Sequence, residues 1–126
     1  MENSLTIEKV SNLIEQFREC HGKLFDLETI YLYVRETLPQ GPALDHEMRG
    51  VQGVIWVLRK RMETLRKHLW SALIMAVQTK ASSEVQKVLA DTLTAFETVE
   101  CYYTVMERAE EMAKENDTYT MEDLGL

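Results

Sequence analysis

One apolar seam constrains this chain more than any other feature. Met48, Val51, Ile55, Leu58, Met62, Leu65, Leu69, Ala72 and Ala76 recur in alternating steps of three and four. That is heptad spacing, which keeps one side of a helix against a partner as in a coiled coil. It predicts a helix over about 45–80, roughly 54 Å long at a rise of about 1.5 Å per residue. Val54, Trp56 and Val57 add apolar surface off the seam near its start, and Trp70, Leu73, Ile74, Met75 and Val77 near its end. Between them, Arg59 to His68 is charged almost everywhere except on the seam. A helix that is apolar most of the way round has to be covered from several sides.

The rest of the chain reads as that cover. Five Gly and two Pro, both Pro inside Pro39-Gln40-Gly41-Pro42, leave little to interrupt helices. Ser4 or Thr6 can cap a first helix over about 5–21, whose stripe is Ile7, Val10, Leu13, Ile14 and Phe17, with Gly22 as its stop. Asp26 is expected to cap a second, about 26–38, with Phe25 stapled on Ile30 and Pro39 ending it. Its inner side is read as Leu27, Ile30, Tyr31, Val34 and Leu38. Asp45 is expected to cap the long helix, where Gly50 and Gly53 suggest either a close helix approach or a flexible first turn. The chain breaks at Thr79–Ser83, and Ser83 with Gln86 matches a capping box opening a helix over 84–115.

The expected fold is therefore all-α: an antiparallel long helical hairpin, about 45–80 and 84–115, packed with two shorter N-terminal helices as in a four-helix bundle. Residues 1–115 are read as a single helical domain. Residues 116–126 are read as an acidic C-terminal tail, mobile or docking.

Charge fits that hairpin. Residues 45–80 carry seven basic and three acidic side chains, against three and eleven in 84–126, within a net −7. Folding about Ala81/Ser82 sets Arg66 opposite Glu97 and Glu63 opposite Glu100. Arg59 then falls near Glu100 and Glu107, and Arg49 near Glu111 and Glu115. The basic face of Arg59, Lys60, Arg66 and Lys67 is accordingly expected to pair within the chain. No aromatic interleaves it for base stacking, and an acidic chain is repelled by nucleic acid and anionic membranes.

Catalytic patterns are not met. No Glu has a His three residues later, as di-iron bundles require, and His21, His46 and His68 are scattered. Cys20 and Cys101 fit no metal or redox spacing, and Cys20-His21 are adjacent, which points their side chains about 100° apart on a helix. Glu97, Glu100, Glu107, Glu110 and Glu111 could hold a divalent metal, but no second acidic motif faces them. No signal peptide or membrane span is visible, so the expected setting is cytoplasmic.

These readings converge on a non-enzymatic helical module that binds another protein as an adaptor, regulator or inhibitor, without cofactor or metal. Its expected surface is Trp56, Trp70, Ile74 and Met75, and a homodimer is expected to cover it. The alternatives are a helical-bundle enzyme or small-ligand binder using the carboxylates of 84–115 and a divalent metal, and a nucleic-acid contact through 59–68.

Overall fold

Helix α1 (Ile7–Thr37) and helix α2 (Pro42–Gln78) form a long hairpin, followed by α3 (Ser83–Phe96), α4 (Tyr102–Glu115) and a 3-10 turn, Glu122–Leu124. This is a computed structural model that describes residues 5–96 and 101–126. The fold is all-α, and the hairpin is packed with two shorter helices, as expected. Its placement in the chain is not as expected. The long arms are α1 and α2, of 31 and 37 residues, and the short helices are C-terminal rather than N-terminal.

The helices expected at 5–21 and 26–38 are one. Gly22 ends nothing, and Phe25 and Asp26 lie mid-helix. An apolar row at Val10, Leu13, Phe17, Cys20, Leu24, Leu27, Tyr31 and Val34 crosses Gly22 without losing phase. Packing along that row outweighs the cost of about 1 kcal/mol for an interior glycine. Thr6 does cap α1, its Oγ1 accepting the Lys9 N–H at 3.3 Å. The Gln40 side-chain amide donates to the Arg35 carbonyl at the other end. Pro42 rather than Asp45 opens α2, a position where its missing N–H costs nothing. A Cβ at Gly50 or Gly53 would meet nothing within 4 Å, and α2 is regular there. Neither a close helix approach within the chain nor a frayed first turn accounts for them.

The α2 seam is buried or half-buried at every position from Met48 to Ala76. The helix stops where expected, through Lys80 in the left-handed region (φ 54°). The Ala81 N–H reaches the Ala76 carbonyl at 2.8 Å and the Lys80 N–H that of Val77 at 3.3 Å, a Schellman arrangement. The α3 cap falls one residue earlier than the sequence suggests: Ser82 Oγ accepts the Val85 N–H at 3.3 Å. The Gln86 amide instead donates to the Ala81 carbonyl at 3.0 Å. The helix expected over 84–115 is two, because Cys101 is extended (φ −112°, ψ 166°) and α4 begins after it.

The chain forms two compact units, Phe17–Thr64 and the remainder, Met1–Gln16 with Leu65–Leu126. In the second unit, Val10, Leu13 and Ile14 of α1 are buried, as are Leu69 and the run Ala72–Ala76 of α2. Val85, Leu89 and Leu93 of α3, and Val105 and Ala109 of α4, are buried there too. The segment 116–126, expected to be mobile or docking, is held by Gln78. Its side chain donates to the Asp117 carbonyl at 3.1 Å and accepts the Tyr119 N–H at 3.1 Å. Leu124 is fully buried, worth roughly 1.5–3 kcal/mol. Gly125 (φ 72°) lies against the His68 ring.

The Phe17–Thr64 unit is two antiparallel helical stretches. Phe17, Cys20, Met48 and Ile55 are its buried apolar side chains. The sequence of this unit is far richer in apolar residues than those four.

Candidate functional site: the exposed side of the Phe17–Thr64 hairpin

A pair of helices has one mutual seam and cannot enclose a second apolar stripe. In Phe17–Thr64 the consequence is direct. Phe25, Ile30, Leu32, Tyr33, Leu38, Val54, Trp56 and Val57 are all at least half exposed. Soluble monomers seldom leave so many large apolar side chains of one helix pair in water.

One side of the hairpin is concave. A groove of about 440 Å³ runs between the helices, lined by Glu28, Tyr31, Leu32, Gln52, Ile55, Trp56 and Arg59. A second, of about 240 Å³, is lined by His21, Leu24, Phe25, Glu28, Thr29 and Leu32. Glu28 and Leu32 line both, so the two depressions adjoin. Phe25, Leu32 and Trp56 are exposed by 64%, 58% and 61%. They supply the apolar walls, and polar groups fix the frame. Arg59 Nη2 lies 3.3 Å from Glu28 Oε2 across the groove. The Gln52 amide donates to the Tyr31 hydroxyl, which also accepts from Arg35 Nη1 at 3.3 Å. The Lys60 ammonium sits 5.8 Å above the Trp56 ring and 3.7 Å from Glu63.

The four residues expected as the interaction surface do not share a fate. Trp56 is exposed on this groove, whereas Ile74 and Met75 are each only 1% exposed and belong to the core of the other unit. Trp70, in that same unit, is half-buried with the Arg108 guanidinium 5.9 Å from its ring centre. Ile74 and Met75, expected to wait for a second copy, are instead buried with α1, α3 and α4 residues of their own unit. Of the basic face, Arg59 and Lys60 lie beside the groove and have Glu28 and Glu63 as partners. Arg66 and Lys67 are exposed in the other unit. Arg59 pairs with Glu28 of α1, its neighbour within this unit. Glu97 and Glu100, expected opposite Arg66 and Glu63, lie outside the described residues.

Sequence reasoning missed Phe25 and Leu32 as groove residues. The available signal was the run Leu27–Val34, apolar at Leu27, Ile30, Tyr31, Leu32, Tyr33 and Val34 and so too wide for one partner helix. Of the inner side expected there, Leu27, Tyr31 and Val34 are half-buried, while Ile30 and Leu38 are exposed.

Among the described residues, no three His, Cys, Asp or Glu side chains are grouped to hold a metal. Glu107, Glu110 and Glu111 are exposed on α4. His21 lines the smaller groove, His46 is exposed near the start of α2, and His68 lies against Gly125. The Cys20 thiol donates to the Leu58 carbonyl at 3.6 Å, and burial pushes its pKa up against the opposing charges of Arg61 and Lys23. The exposed Cys101 thiol is held below its usual value by hydrogen bonding to Thr104. No helix among the described residues is long and apolar enough to cross a membrane. Compared with family models, with curated proteins and with solved structures, the chain matches none.

Proposed function

We propose that the chain is a non-enzymatic protein-interaction module, of adaptor, regulator or inhibitor type, that binds through the grooved side of the Phe17–Thr64 hairpin. The observation that carries this reading is the exposure of three large apolar side chains, Phe25, Leu32 and Trp56, as the walls of two neighbouring grooves. Aromatic anchors with an apolar surround and a charged rim are the usual make-up of a binding hot spot. A cytoplasmic, reducing setting agrees with the two unpaired thiols, one buried and one exposed. Arg59 and Lys60, each already beside a carboxylate, add little to a nucleic-acid reading.

The test is photo-crosslinking in cells expressing the full chain. A photoreactive residue at Trp56 is expected to give discrete adducts with a protein. The same residue at exposed Lys87 of α3 is the control. Adducts no different between the two positions would refute the reading.

A further inference from the structure

The groove also says what sits on it. Residues 17–64 carry seven acidic and seven basic side chains, so this unit is neutral, and the entire net −7 belongs to the remainder of the chain. A neutral surface offers no long-range attraction to a strongly charged partner. It does let two copies approach without like-charge repulsion at the contact. The residual charges are also split by helix: 17–37 carry four acidic and three basic groups, and 42–64 three and four. At the groove itself, α1 contributes the carboxylate of Glu28 and α2 the guanidinium of Arg59.

Opposite signs on the two helices are what a two-fold contact needs, because it brings each patch against the same patch of its mate. With the axis lying between the copies and running along the groove, α1 of one copy lies over α2 of the other. Glu28 of each chain then meets Arg59 of its mate, and Leu32 and Trp56 fill the space between. The dimensions are adequate. Two helices about 10 Å thick side by side and about 30 Å long offer roughly 600 Å². That approaches the roughly 800 Å² per partner of a standard interface. Two hairpins face to face make a four-helix bundle, the arrangement in which such stripes are ordinarily buried. We infer that the occupant of this groove is a second copy of the same chain, joined groove to groove across a two-fold axis. This rests on the interaction reading above and names its partner.

Light scattering on the full chain at low to high micromolar concentration reads the outcome. The expected mass is twice 14.6 kDa. Leu32→Lys with Trp56→Lys, both exposed positions, should weaken the dimer by roughly 100-fold or more while helicity by circular dichroism is kept. Val54→Thr with Val57→Thr, equally exposed but outside both grooves, should leave it intact. The decisive arm is a charge swap. E28R alone and R59E alone should each be shifted toward monomer, and an equimolar mixture should recover the dimer, because both cross-axis contacts in the mixed pair are of opposite sign. A wild-type monomer overturns the inference and leaves the interaction reading to its crosslinking test. A dimer indifferent to the Leu32/Trp56 change, equally sensitive to the Val54/Val57 change, or not recovered by mixing overturns the groove-to-groove assignment.

Discussion

Gly125 sets the last turn of the chain, and replacing it by alanine asks how much that turn contributes to the unit it closes. Two costs are separable. The backbone at Gly125 is left-handed (φ 72°), which costs an L-residue roughly 1 kcal/mol more than glycine. A Cβ built there would lie 2.8 Å from His68 Cε1 and 3.1 Å from Nδ1, so the ring has to move. Displacing one half-buried side chain by a few tenths of an ångström adds up to about 1 kcal/mol. Should the turn let go instead, burial of Leu124 is lost, worth roughly 1.5–3 kcal/mol. The expected destabilisation of Gly125→Ala is therefore about 1–2 kcal/mol, bounded above by release of the turn. For a chain of this size that lowers the melting temperature by roughly 3–8 °C. Thermal and urea denaturation followed by circular dichroism measure it. A double-mutant cycle with His68→Ala separates the terms, since removing the ring relieves the clash and leaves the backbone cost. An unchanged midpoint in Gly125→Ala would refute the reasoning, and a cycle with no coupling would refute the part assigned to His68.

Gly22→Ala should stabilise by about 0.5–1 kcal/mol, because Gly22 is helical with open space around it; a loss of stability in the same melts would contradict a continuous α1. Lys80→Gly should also stabilise, by about 1 kcal/mol, by removing the strain of a left-handed non-glycine residue, and no gain would count against the Schellman turn. Alkylation followed by mass spectrometry should label exposed Cys101 well before Cys20, whose folded thiol has a pKa raised above 9.0. Because the neutral Cys20 thiol is the form the fold favours, its contribution is present below that value and fades as pH climbs through the raised one; equal labelling of both cysteines would contradict this.

Much of the fold was legible where packing and local signals agree. The α2 seam, its end near Thr79 and the restart near Ser83 follow from heptad spacing and capping residues, and the structure buries or half-buries every seam position. Gly22 misled because a glycine followed by a potential cap resembles a helix boundary locally, while the phase of the flanking stripe, unchanged from Phe17 through Cys20 to Leu24, carries the tertiary information. Once α1 is one long helix joined to α2 by a short turn, it becomes the neighbour of α2, and Arg59 finds Glu28. Burial of Leu124 was not legible: among acidic and turn-forming residues, Met121, Leu124 and Leu126 show no periodicity to announce which of them is buried. At the candidate site, Trp56 stood out by size. Ile74 and Met75 looked equally available, because sequence shows that a helix is apolar all round but not which end receives enough cover.

The unit formed by residues 1–16 and 65–126 is interrupted in sequence by the whole of the other, and this orders its assembly in time. Phe17–Thr64 has both its stretches of helix once Thr64 has cleared the ribosomal exit tunnel, before Leu124 does. The burial of Val10, Leu13 and Ile14 awaits α2, α3 and α4, and Leu124 arrives 60 residues after Thr64. At about 5–20 residues per second, translation separates the addition of Thr64 from that of Leu124 by roughly 3–12 s, and the hairpin is outside the ribosome for the later part of it. Hairpins form in far less time than that. A hairpin displaying Leu32 and Trp56 is thus presented while its own chain is still tethered to the ribosome.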